Sequence, residues 1–285
     1  MIRYDLHVHT TASDGIFTPA QVVDKAFQSG LKGIAVTDHD AVSGVQEAVQ
    51  YAQEHAPGFM IIPGVELNTN QDKESVHVLG YYMDYQSGLF LEKLEEMRGW
   101  REERAKKMVE KLKKIGYPID YEEVRELAEG SVGRPHIARI LVQKKRIPSV
   151  KWAFDHLLTR GKPGYVLRHP FTPIDAAELI HACHGIAVLA HPGLIKNQRL
   201  VAELLDNPQA AFDGIEVHYP VHKLYQVQKY AGMALERNLL MTGGSDFHGK
   251  ATPEHASYIG FRGLDDEKFD AFNSGARRIL NKLEF

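Results

Sequence analysis

Cysteine is nearly absent from this chain of 285 residues. Cys183 stands alone, so no intrachain disulfide can form, which fits a reducing compartment. Long apolar runs are missing as well: no stretch is long enough to span a bilayer, and the opening MIRYDLHVH lacks the apolar segment of a signal peptide. A cytoplasmic protein with no membrane partner is expected. Charge of one sign does not dominate either, because 34 Lys and Arg stand against 37 Asp and Glu for a formal net charge of -3. Without a global basic footprint, tight binding of long nucleic acid is not expected, although a local basic pocket for a small anion is compatible with this balance. There is no GxxxxGK[ST] phosphate loop and no GxSxG elbow. Cys183 falls in a helical pattern and is not read as a nucleophile. Hydrophobic residues make up 44% and charged residues 25%, the composition of a folded soluble protein, and the length suits one large domain or a domain with an insertion.

Histidine, by contrast, is abundant. Its 15 copies gather toward the ends of short apolar runs. Residues 3–9, 33–37, 59–65, 76–81, 186–190, 214–218 and 239–242 read as strands, mostly buried ones. Thr18-Pro19 is a cap followed by proline in the first helical position, opening a helix that Gly30 ends. Thr172-Pro173 repeats that signal before a helix ending near Gly185, and residues 221–237 carry another helix. Strands alternating with helices predict parallel pairing in an α/β layer or barrel. Residues 88–162 break the rhythm: they are rich in charge, helical in pattern and free of strand signals. They read as a helical cap subdomain inserted into an α/β scaffold formed by residues 1–87 and 163–285.

In DLHVHTTASDG, residues 5–15, strand alternation puts Asp5, His7 and His9 on one face, with Leu6 and Val8 on the other. Two imidazoles on one face can share a cation, and a polar barrel face would give the same local pattern. The wider distribution is more telling. Asp14 follows the first strand, Asp38, His39 and Asp40 the second, and Glu66 the third; His77 lies in the fourth, His191 follows the fifth, and Asp246 and His248 follow the last. Functional groups of parallel α/β folds gather at the carboxyl ends of strands, so these residues are expected in one bowl. Imidazole mixed with carboxylate suits Zn, Mn or Fe, and the ligands exceed what one ion needs. Burying so many such groups without a cation would cost heavily in desolvation and repulsion. His55, His156, His181, His184, His222 and His255 sit in helical or loop patterns and read as surface or packing residues, and His218 is left outside the metal set.

The motifs DLHVHTTASDG, TDHD, PGVE, HVLGY, AHP and GSDFH, in that order, resemble the polymerase-and-histidinol-phosphatase (PHP) family of metallophosphoesterases over roughly residues 1–85 and 165–285. The resemblance implies a distorted (β/α)7 barrel of about seven units. It also implies three divalent ions per chain, manganese foremost, with zinc, iron or magnesium as alternatives. Carried over by motif, His7, His9, Glu66 and Asp246 would hold the first ion. Glu66, as a bridge, would hold the second with His77 and His191. Asp14, His39 and His248 would hold the third. Asp5, Asp38 and Asp40 are expected behind these ligands, orienting an imidazole through its other nitrogen. Ions ~3.5–4 Å apart lower the pKa of a bridging water and hold the attacking and leaving oxygens of a phosphoryl group, so hydrolysis of a phosphate ester is expected without a protein nucleophile.

The insertion bears on the ester. Arg98, Arg101 and Arg104 share a helix face, Arg98 being read as solvated and balanced by Glu95, Glu102 and Glu103. Arg134 and His136 of GRPHIAR open a further helix, where backbone N–H groups attract anions, and Lys162 and Arg168 lie where the insertion rejoins the barrel. A second anion site suits a substrate with two phosphates. The segment resembles the branch of 3',5'-nucleoside bisphosphate phosphatases, which also trim short RNA from the 5' end. That resemblance implies a nucleotide or short oligoribonucleotide substrate, with AMP formed from adenosine 3',5'-bisphosphate. A histidinol-phosphate-type phosphatase is the alternative within the family, disfavoured by the long arginine-bearing cap. A non-catalytic polymerase-accessory module is disfavoured by the presence of all nine ligand positions.

Overall fold

The computed structural model describes residues 1–128, 132–250 and 258–283; His255 lies outside them. Seven strands form one sheet in chain order: β1 (Tyr4–Val8), β2 (Gly33–Val36), β3 (Met60–Gln71), β4 (Glu74–Tyr81), β5 (Ile186–Leu189), β6 (Gly214–His218) and β7 (Leu240–Gly243). The chain leaving β7 returns to β1. Asp246 N donates to His7 O at 2.8 Å and His9 N to Phe247 O at 3.0 Å, so the sheet nearly closes into the expected distorted barrel. This seam requires glycine, since a Cβ on Gly244 would lie 2.3 Å from the Cβ of His7. The pairing of β1 with β2 slips between Asp5 and Val8, so the strict alternation expected of residues 3–9 is interrupted there.

Pairing is parallel from β1 to β3 and from β5 to β7, but β4 runs antiparallel to both its neighbours, against the all-parallel expectation. The cause is a two-residue turn. Asp72 and Lys73 take φ of 48° and 74°, the left-handed pair that matches the twist of a tight hairpin. Chain reversal puts His77 near the start of its strand, directly opposite Asn68 and diagonal to Glu66 on one face.

Helices cover the sheet, the first of them where its Thr-Pro cap predicts it. Thr18 accepts from Gln21 N at the head of α1 (Pro19–Gln28), and α2 (Ser43–His55) follows β2. The barrel is filled below the bowl by Tyr4, Leu6, Ile62, Leu79, Tyr81 and Val188, all buried, and Phe269 stacks on Tyr4 at 3.6 Å.

The chain forms two compact units, Met1–Leu91 with Pro170–Phe285, and Glu92–His169. The second holds most of α3 (Gly88–Lys114) with α4 (Tyr121–Glu126), α5 (Arg134–Gln143) and α6 (Val150–Ala153), which runs on into a π turn. Its own apolar core includes Met108, Leu112, Ile137, Leu141 and Leu158. The returning segment stays in this unit past residue 162: a Cβ on Gly164 would press on Leu112, Val166 O accepts from Arg104, and His169 stacks on Trp100 at 3.7 Å. After this core, α7 (Pro173–Ala182), α8 (Gln198–Leu205), α9 (Leu224–Glu236) and α10 (Asp266–Leu283) alternate with the remaining strands. No helix among the described residues is long and apolar enough to cross a membrane.

Candidate metal centre

Six strands bring nine side chains together at one end of the barrel. Ligand atoms of His7, His9, Glu66 and Asp246 lie within 4.8 Å of one another, as do those of His9, Asp14, His39 and His248, and those of His39, Glu66 and His77. His191 joins through Glu66, its Nε2 lying 2.9 Å from Oε1. These groups share His9, His39 and Glu66, so the centre is one continuous cluster. The backbone is strained where it delivers ligands: His191 and Asp246 adopt φ of 23° and 52°.

Glu66 is the hub. Its Oε1 accepts from His77 Nδ1 at 2.7 Å and His191 Nε2 at 2.9 Å. Its Oε2 lies 2.9 Å from His39, 3.2 Å from His9 and 3.4 Å from His7. His248 Nε2 and Asp14 Oδ1 are 3.1 Å apart. Yet many buried atoms here have no hydrogen-bond partner: His7 Nε2, both nitrogens of His9, Asp14 Oδ1, Glu66 Oε2 and His191 Nδ1. Native structures rarely leave buried polar atoms unmatched, and here the unmatched atoms converge. A mixed imidazole and carboxylate donor set of this kind fits divalent transition metals.

Burial would push the Glu66 carboxyl up, but His39, His77 and His7 hold it well below the usual carboxylate range. Burial likewise disfavours charge on His248, and Asp14 outweighs it, raising that imidazole to about 9. The bowl therefore keeps Glu66 and Asp14 ionised, as a cation site requires.

The residues expected behind the ligands accept from amides and hydroxyl groups. Asp5, pushed up to about 6 by burial, accepts from Ser245 N at 2.8 Å, Gly260 N at 2.7 Å and His7 N at 3.3 Å. Asp38 accepts from Thr10 N and Oγ1 at 2.8 and 2.7 Å and from Ser13 Oγ at 2.6 Å, fixing the loop that carries Asp14. Asp40 accepts from Asn68 N at 2.8 Å. The polar side chains that meet ligand side chains are others: Glu216 meets His7, Tyr219 meets Asp246, and Asn68 lies 2.9 Å from His39 Nδ1. Glu216 had a signal in the sequence, since a carboxylate in the middle of GIEVH, an otherwise apolar strand, needs a buried partner. His222 is buried and packs, with Nδ1 donating to Val217 O and Nε2 accepting from Gly193 N.

Within the helical unit, the charges of Arg168 and Arg101 bear on Arg104. Burial first, then the charges of Arg168 and Arg101, pull the Arg104 guanidinium down to about 10. Arg104 Nε donates to Val166 O at 2.8 Å, while its buried Nη2 has no hydrogen-bond partner. Arg134 lies over the Phe154 ring, 5.3 Å from its centre. His136 is buried, its Nδ1 accepting from Gly133 N at 3.0 Å in the cap of α5, and Lys162 is exposed in a turn.

Residues 5–159 match the family model of the PHP domain. A 5'-3' exoribonuclease of Haemophilus influenzae is 36% identical over 249 residues, covering 86% of this chain and 90% of that protein. A 3',5'-nucleoside bisphosphate phosphatase of Chromobacterium violaceum is 33% identical over 252 residues, covering 87% and 88%. Among solved structures, a candidate metal-dependent phosphoesterase of Bifidobacterium adolescentis matches with a TM-score of 0.84 at 28% identity, over 96% of both chains.

Proposed function

The chain belongs to the PHP-domain family and is a metal-dependent phosphoesterase, and from that premise we propose that it removes the 3'-phosphate of nucleoside 3',5'-bisphosphates and trims short RNA from the 5' end. Adenosine 3',5'-bisphosphate would yield AMP. The observation that carries this reading is the arginine group of the helical unit, in which Arg101 and Arg168 act on Arg104 and the buried Arg104 Nη2 has no hydrogen-bond partner. Such a group is stabilised by an anion. In both substrates the bond broken joins phosphorus to the 3'-oxygen of a nucleotide that bears a 5'-phosphate. One anion site for that 5'-phosphate, supplied by Arg101, Arg104 and Arg168, therefore serves both. The names of the two relatives, one a bisphosphate phosphatase and one an exoribonuclease, support the pairing.

Three divalent ions, manganese foremost, are the proposed cofactors, held by His7, His9, Glu66 and Asp246, by Glu66 with His77 and His191, and by Asp14, His39 and His248. Bound there, they supply Lewis acidity toward a phosphoryl oxygen and lower the pKa of water. The protein's part is to keep Glu66 and Asp14 ionised and to bury the donor atoms away from bulk solvent. The test is a substrate panel with added Mn, Mg or Zn: adenosine 3',5'-bisphosphate, AMP, histidinol phosphate and short RNA with and without a 5'-phosphate. Preference for the bisphosphate and for 5'-phosphorylated RNA is expected. Equal turnover of small monoesters would overturn the assignment.

A further inference from the structure

Among the described residues, β6 is the strand that contributes no member of the ligand cluster, yet it carries Glu216 and leads into Tyr219, both fully buried. Glu216 makes two contacts. Its Oε1 takes the hydrogen bond of His7 Nδ1 at 3.0 Å, and its Oε2 takes that of the His191 backbone N–H at 2.7 Å. Tyr219 donates its hydroxyl to Asp246 Oδ2 at 2.8 Å. In each ligand side chain, one atom is thus tied down and the other, His7 Nε2 or Asp246 Oδ1, lies toward the same cluster. His7 Nε2 and Asp246 Oδ1 are 3.3 Å apart.

We propose that Glu216 and Tyr219 are positioning residues that decide which atoms of His7 and Asp246 face a metal ion. The inference rests on the metal-binding reading above. A carboxylate can only accept, so the proton of His7 must sit on Nδ1, leaving the Nε2 lone pair for an ion. The Tyr219 hydroxyl selects one oxygen of Asp246 in the same way. Glutamine at position 216 has nearly the same shape but the opposite demand. Its oxygen can satisfy His191 N–H, and its NH2 group would then face His7 Nδ1. The imidazole would have to accept there and carry its proton on Nε2, the nitrogen needed for the ion.

Chelator-stripped wild type, Glu216→Gln and Tyr219→Phe are titrated with Mn2+, and the zinc-reconstituted wild type is examined by 15N NMR of its histidines, with His7 assigned from a His7→Gln sample. The expected results are a His7 proton on Nδ1, a loss of affinity of about 10–100-fold at one Mn2+ site in Glu216→Gln, and about tenfold in Tyr219→Phe. The melting temperature of the metal-free Glu216→Gln protein should be unchanged. A merely structural role would lower that temperature and loosen every site alike. Wild-type Mn2+ affinity in Glu216→Gln, or a His7 proton on Nε2 in the wild type, would overturn the proposal. If Glu216→Gln does not fold, the Tyr219→Phe titration and the wild-type proton position decide it. A wild type that takes up no Mn2+ would overturn the metal reading itself.

Discussion

In the barrel unit, Glu66, His7 and Asp246 are buried and crowd one another. In the Glu92–His169 unit, charges pair on the outside, as Lys107 with Glu103 and Lys144 with Glu123, around an interior of Leu112, Ile137 and Leu141. Buried ionisable groups are costly and surface pairs nearly neutral, so the two units carry unequal burdens. One is shaped against its own stability to hold cations. The other has an ordinary apolar core, with Arg104 as its partly buried exception. On the function proposed above, the barrel unit breaks the bond and the helical unit chooses the substrate.

Four substitutions test that division. Glu66→Ala has the largest expected effect: loss of a shared ligand should remove more than one metal equivalent and raise the barrier by on the order of 5 kcal/mol, a several-thousand-fold slowing. Elemental analysis beside kcat measures it, and full occupancy would refute the shared-ligand role. Leu141→Ala should cost about 2–5 kcal/mol of stability through the cavity it leaves. Denaturant unfolding reads the loss, and metal content per folded chain should stay at the wild-type value; a fall in metal content would mean that the units are not separable. Arg104→Ala should lower kcat/KM for a nucleoside bisphosphate by on the order of 2–4 kcal/mol and change an aryl phosphate little. Equal losses on both substrates would place Arg104 in general support of the fold. As the smallest effect, Arg98→Ala, which removes an exposed pair with Glu95, should cost less than about 0.5 kcal/mol on any readout.

The seven strands, the capped helices and the nine clustering side chains could be read from the sequence because each has a local signature: an apolar run, a Thr-Pro cap, or a His or carboxylate beside a strand end. The reversal of β4 could not, since its turn is Asp72-Lys73, not the Asn-Gly that advertises positive φ. His77 was still placed with the cluster, because hairpin pairing opposite Asn68 brings it to Glu66 from the other strand direction. The partner of the His7 ring is Glu216, 209 positions away in the chain, and no local pattern connects residues so distant. Asp5 was expected to meet an imidazole, and its carboxylate is instead saturated mainly by the amides of Ser245 and Gly260. Arg134 and His136 stand at a helix start as the sequence indicates, and what the sequence does not show is that Arg134 lies over Phe154 and that His136 Nδ1 accepts from Gly133 N.

The barrel unit is discontinuous, Met1–Leu91 with Pro170–Phe285, and this shapes its birth on the ribosome. Six of the nine side chains, His7 to His77, emerge early, whereas Asp246 and His248 emerge only after the whole helical unit has been synthesised. At ordinary elongation rates that interval is roughly 10–30 s. In the later part of it, once Glu92–His169 is complete and contiguous, the nascent chain displays half-built chelating groups that no closing seam yet protects. Loading with the full complement of ions is therefore an event that follows translation of the last strand, and the intervening helices act as a timer on it.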